Sequence, residues 1–298
     1  MHRRVRVRTD RIAASAMRLC AAGTVLLVVV IVCALLLKSA PVLARHSIWT
    51  LLGSSSWQPL RGEFGFFPFL LGTLWVTGTA VLLAVPLSLF TAIYLSEYAP
   101  AAVRRLAAPL VDLLAGIPSV IYGIWGVLAV VPLVRDRVAP LFGVSSSGYC
   151  VLAGGVVLAI MILPVIIHVA AEVFGAVPRG MREASLALGA TQWQTVTRVV
   201  LRKAMPGVIA AVVLGVSRAF GETMAVLMVA GNVAVSPRSI FDPAYPLPAL
   251  IANNYGEMLS VPLYDAAMML AALLLLAVVV AFNAVSRCVL ARIERGMR

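Results

Sequence analysis

The chain has 298 residues, of which 62% are hydrophobic and only 12% charged, and its mean hydropathy is +1.01. That composition excludes a water-soluble domain and predicts a polytopic, all-α membrane protein. The net charge of +12 does not describe a polyanion-binding patch, because the basic residues fall in short segments between apolar runs, where they report topology.

Residues 1–18 form a basic arm with Arg3, Arg4, Arg6, Arg8, Arg11 and Arg18, and Leu19 to Leu37 then runs without a charge. A secretory signal carries an apolar stretch of about 7–15 residues, so this longer run predicts a retained first span, with Val42-Leu43-Ala44 a weak competing cleavage signal. The segment from Lys38 to Gly65 predicts an external loop with Trp57 at the membrane interface. The second span is expected at about Pro68 to Tyr94, kinked at Pro86. The third lies between Asp112 and Arg135, interrupted by Gly116, Pro118, Gly123 and Gly126. Arg135, Asp136 and Arg137 begin an external loop that ends near Ser147. Gly148 to Ala171 predicts the fourth span, in which His168 reads as a hydrogen-bonded core residue, no metal partner being at suitable spacing. A polar interruption, 178–203, precedes a fifth span at about Pro206 to Gly231. The proline-rich stretch from Asn232 to Pro262 predicts an irregular external loop centred on Asn253, Asn254 and Tyr255. Ala266 to Ser286 is the sixth span, and 287–298 a basic tail. Cys20, Cys33, Cys150 and Cys288 lack metal-ligand spacing and read as small packing residues.

Six spans put both termini on one side, and the charges choose which. Seventeen Lys and Arg fall in the arm, the segment after span two, the interruption and the tail, whereas six fall on the opposite side. This bias predicts cytoplasmic termini and a cytoplasmic interruption.

Two stretches carry the functional signal. Within the interruption, Pro178-Arg179-Gly180 ends the fourth span, Met181 to Leu188 favours a short helix, and Gly189 permits a turn into a second one from Thr191. Ala184, Ser185 and Ala187 are small enough to seat in a partner's groove. Within the fifth span, Arg218 and Glu222 are four apart, on one face of a continuous helix. A charge in a span costs about 2.5–3.5 kcal/mol on insertion scales, which marks the pair as functional. A guanidinium matches the oxygens of an oxyanion, with Glu222 competing for Arg218 when no cargo is bound. The alternative is a permanent Arg218–Glu222 pair that only ties the fifth span to its neighbours.

The stretch Glu183-Ala184-Ser185-Leu186-Ala187-Leu188-Gly189 resembles the Glu-Ala-Ala-x-x-x-Gly coupling signature in membrane subunits of bacterial ABC importers. Ser185 replaces the usual second Ala, and Leu201-Arg202 stands where a Leu-Pro pair is usual. Trp57-x-Pro59, Tyr94-Leu95-Ser96-Glu97-Tyr98-Ala99-Pro100, Leu114-Ala115-Gly116-Ile117-Pro118-Ser119-Val120 and Arg218-Ala219-Phe220-Gly221-Glu222-Thr223-Met224-Ala225-Val226 are similar to the PstC-type permeases of phosphate importers. The resemblance implies a type I ABC importer fold in the bacterial inner membrane and half of a pathway for phosphate. The implied partners are a PstA-like permease, two PstB-like ATPases and a PstS-like phosphate-binding protein. The ATPases would grip Glu183, Ala184, Ser185 and Gly189, and Arg218 and Glu222 would serve the substrate pathway. Sulfate or molybdate remains an alternative cargo. The chain has no His-Glu-x-x-His, Gly-x-Ser-x-Gly or Gly-x-x-x-x-Gly-Lys-Ser/Thr motif, so no metal, cofactor or catalysis is expected on it, and ATP with its Mg²⁺ belongs to the partner ATPase.

Overall fold

A computed structural model describes residues 2–257 and 261–296. Six helices are long and apolar enough to cross a bilayer. The end of the bundle that carries most arginines is called here the basic end.

Helix α1 (His2–Arg45) is one continuous rod. At about 1.5 Å per residue it is roughly 66 Å long, twice a hydrocarbon core of about 30 Å, so the expected arm is a helical extension of the first span. A short helix α2 (Ile48–Gly53) follows. Strands β1 (Trp57–Gln58) and β2 (Glu63–Phe64) then pair antiparallel, Trp57 opposite Phe64. Trp57, expected at the membrane interface, is half-buried within the fold. Its ring stands edge-on to Phe64, Phe66 and Phe69 at 5.7, 5.6 and 4.8 Å, because the hairpin folds it back onto the start of the second span.

Helix α3 (Phe67–Ile93) passes through Pro86 and ends in a π-helical turn, Tyr94–Tyr98. Helix α4 (Ala101–Gly116) has no buried residue. It carries Asp112, which the sequence placed at the start of the third span. That span begins later: Ile117 and Pro118 are extended, with ψ of 128° and 141°, since proline bars its predecessor from the helical region. Helix α5 (Ser119–Leu141) then continues through Arg135, Asp136 and Arg137, so the expected loop starts later as well. The remaining spans are α6 (Val151–Gly175), α8 (Gln192–Gly221) and α11 (Tyr264–Gly296), with the short α7 (Arg179–Ala187) between α6 and α8. Helix α8 absorbs Arg198, Arg202 and Lys203, so half of the expected polar interruption forms the first turns of a span. Helices α9 (Met224–Val229) and α10 (Leu247–Asn254) complete the chain.

Helix α6 is the most enclosed span. Val76, Ala80 and Ala84 of α3 pack on its Leu158, Ile162 and Ile166. Glycine lets the backbones approach this closely: a Cβ on Gly155 would lie 2.5 Å from Thr79 Cγ2, and one on Gly215 of α8 2.5 Å from Ile166 Cγ1. The orphan amides at the start of α6 are met by the long 230–246 loop, whose Asp242 and Ile240 carbonyls accept from Val151 N at 3.0 Å and Leu152 N at 2.8 Å.

Overpacking a tight core site costs about 1–3 kcal/mol. Gly155→Leu should therefore lower the thermal midpoint of the detergent-solubilised protein by several degrees. Gly78→Leu on the facing helix α3, where a Cβ meets nothing within 4 Å, should not lower it; differential scanning fluorimetry reads both.

Candidate functional site

The fifth span is broken where it matters most. Helix α8 ends at Gly221; Glu222 is extended (ψ 126°), and α9 restarts at Met224. The expectation that Arg218 and Glu222 share a helical face therefore fails, because an i, i+4 relation requires an unbroken helix. Among the described residues no carboxylate comes within 4.0 Å of Arg218. The two side chains have different surroundings. Arg218 is exposed on the isolated chain, and Tyr122 of α5 lies within its electrostatic reach. Glu222 is half-buried and borders a cleft with Thr73, Thr77, Pro246 and Pro248. Its carboxylate accepts the Thr223 amide at 3.2 Å, and the Thr223 hydroxyl donates to the Gly221 carbonyl at 3.3 Å. These short polar side chains supply partners that the interrupted helix lacks.

At the basic end, Pro178 and Gly189 bound α7. Gly189 has φ +81°, the left-handed conformation that closes a helix, and Leu188 N donates to Ala184 O at 3.2 Å. Thr191 and Gln194 then form a reciprocal capping box that starts α8. Glu183, Ala184 and Gly189 are exposed and Ser185 is half-buried, its hydroxyl 2.9 Å from that of Thr195. Leu188 is 89% exposed, beside exposed Met181 and Leu186. An apolar surface on a short polar helix is a docking feature.

Sequence reasoning missed the strongest contact here. Arg182 makes a bidentate pair with Glu97, Nε to Oε2 at 3.0 Å and Nη2 to Oε1 at 2.7 Å, and the side chains are only 19% and 8% exposed. Arg182 also donates to the Phe174 carbonyl at 2.8 Å and to that of Val177, at the C-terminal end of α6. Its hydrogen bonds to Glu97 push the guanidinium pKa above its already high ordinary value. Gln192 Nε2 donates to the Glu97 carbonyl at 2.8 Å. The available signal was a lone carboxylate, Glu97, after the second span; nothing in the sequence identified its partner. His168 is not the core residue expected: it is largely exposed, with Nδ1 3.7 Å from Asp112 Oδ1 on α4. Cys150 is buried, whereas Cys20, Cys33 and Cys288 are exposed and all four are free thiols.

Residues 84–298 match the binding-protein-dependent transport system inner membrane component family. The chain is 42% identical over 208 residues, 69% of its length, to the probable ABC transporter permease protein YqgH of Bacillus subtilis; the match covers 66% of that protein, just under two thirds. It is 35% identical over 261 residues, 83% of its length, to the phosphate transport system permease protein PstC of Pasteurella multocida, covering 81% of it. Among solved structures, an inward-facing MetNI methionine ABC transporter superposes with a TM-score of 0.56 at 22% identity, over 74% of this chain and 93% of the compared one. That likeness concerns the fold, which is that of a type I ABC importer permease. The chain thus belongs to the binding-protein-dependent transport system inner membrane component family and is a multi-pass permease component of the inner membrane.

Proposed function

We propose that this chain is the PstC-like permease subunit of an ATP-driven phosphate importer, contributing one half of the translocation pathway. The relatives named for phosphate transport support the cargo. The observation that carries the reading is Arg218: a guanidinium within a membrane span, exposed on the isolated chain and without a carboxylate partner among the described residues. Planar bidentate donors match phosphate oxygens, and in a dry pathway charge-assisted bonds are strong. Glu222 supports the helix break beside Arg218 and keeps acid near the pathway without neutralising the cation.

In this reading a PstA-like permease covers the unpaired faces of α4, α5 and α8, and the two chains together enclose the pathway. The Lys and Arg distribution orients both termini and α7 toward the cytoplasm. There two PstB-like ATPases hold Glu183, Ala184, Ser185 and Gly189, with Leu188 seated in the contact. ATP and Mg²⁺ are bound by those subunits, and no cofactor resides on this chain. A PstS-like protein delivers phosphate at the opposite end, where the 230–246 loop lies.

The test is radiolabelled phosphate uptake into proteoliposomes holding the complete complex, with sulfate and arsenate as competitors. A charge-assisted hydrogen bond is worth about 1.5–3 kcal/mol, so Arg218→Gln should cut uptake by roughly 10- to 100-fold while assembly persists, and Arg218→Lys should retain part of it. The exchange of Arg218→Glu with Glu222→Arg should stay inactive, because the two side chains do not pair; restored uptake would instead support a permanent pair. Leu188→Asp should reduce co-purification of the ATPase by about tenfold.

A further inference from the structure

The α7 helix is joined to its neighbours by two short covalent links and by side-chain bonds, and the side-chain bonds are unequal. Toward α8 the direct tie is one neutral hydroxyl pair, Ser185 with Thr195 at 2.9 Å. Toward α3 it is the bidentate Arg182–Glu97 pair, between residues 85 positions apart in sequence. The same guanidinium holds the last carbonyls of α6 through Phe174 and Val177. Charge-assisted, bidentate bonds with little solvent access are stronger and more directional than a neutral pair. Gly189, by contrast, makes the link to α8 a turn.

We propose that Arg182 and Glu97 form a strut that binds α7 to the inner ends of α3 and α6, so that a displacement of α7 is delivered first to the α3–α6 pair and more weakly, through the Ser185–Thr195 pair and the Gly189 turn, to α8. Both are positioning residues: neither touches cargo or ATP. The α3–α6 contact is the most extensive in the bundle, and Gly155 packs closely against Thr79, so the pair moves as one body. Removing the strut leaves α7 able to follow the ATPase without carrying the spans along. This rests on the reading of α7 as the helix that the ATPase holds.

The experiment uses the complete importer in proteoliposomes, with the four native cysteines replaced, and reads phosphate uptake per ATP hydrolysed. Glu97→Cys with Arg182→Cys should keep ATP hydrolysis within about twofold of the parent while the coupling ratio falls at least fivefold. Bridging the two thiols with a short bifunctional reagent should restore at least half of the ratio. A merely structural role predicts loss of assembly, not loss of the ratio with hydrolysis intact and rescue by the bridge. A parental ratio without the bridge, or an assembled and bridged complex that hydrolyses ATP and stays uncoupled, overturns the proposal. Where the double variant does not assemble, Glu97→Gln, which keeps the shape and loses the charge, decides: a twofold or greater fall in the ratio at unchanged thermal midpoint supports the strut, and an unchanged ratio overturns it. Glu183→Arg on the exposed face of α7 separates the two readings. If it leaves ATPase binding and activity intact, the coupling assignment of α7 has failed. If it releases the ATPase while the strut variants transport at the parental ratio, the strut alone has failed.

Discussion

A backbone that leaves the helix inside a bilayer must find its hydrogen bonds among its own side chains or its neighbours, since hydrocarbon supplies none. The chain meets that demand after Gly221. The Glu222 carboxylate takes the Thr223 amide and the Thr223 hydroxyl serves the Gly221 carbonyl, so the two residues that interrupt the span also satisfy it. A second interruption, at Ile117–Pro118, is handled in the same way: Tyr122 donates its hydroxyl to the Leu114 carbonyl at 2.7 Å. The two breaks adjoin, because Gly123 of α5 lies against Ala225 and Met228 of α9. Arg218 sits at this junction without a carboxylate partner among the described residues, while Glu222 accepts a backbone amide and borders the cleft of Thr73 and Thr77.

Charge is handled differently at the basic end. Arg182 is surrounded by acceptors, namely a carboxylate and the carbonyls that close α6, where the helix dipole also favours a cation. Its burial is therefore compensated, whereas withdrawal of either partner would leave a desolvated charge. One arginine in the chain is thus committed and the other available. That contrast, rather than the number of charges, distinguishes a tether from a site that can take an anion.

Six apolar runs, the basic bias and the short helix before Gly189 were legible in the sequence, because span length, charge asymmetry and a left-handed closing residue are local properties. The break at Glu222 was not. Gly221-Glu222-Thr223 contains no proline, and the pair spacing of 218 and 222 suggested an intact helix; the break accompanies the packing of α9 against α5, a contact between residues about a hundred positions apart. The start of the third span was misplaced because hydropathy does not separate α4 from α5, although Pro118 marked the boundary. The packing of Trp57 on Phe64, Phe66 and Phe69 was not legible either, because it is the hairpin that brings those rings around it. The Arg182–Glu97 pair was invisible for the same reason: each member read as an ordinary charge beside a span, and only the tertiary fold joins them.

The stiff and compliant parts are distributed in a way that suits alternating access. Glycine-mediated contact makes α3 and α6 a rigid pair. Compliance lies beside the functional groups: the π-helical turn Tyr94–Tyr98 contains Glu97, another at Val196–Val200 opens α8, and the break at Glu222 ends it. Such turns depart from the regular i→i−4 ladder and are frequent at functional positions. Packed cores switch between discrete arrangements instead of deforming smoothly. A push at α7 would therefore be expressed at these irregular points, and the segment bearing Arg218, with one of them at each end, is the part of the chain freest to change its exposure between states.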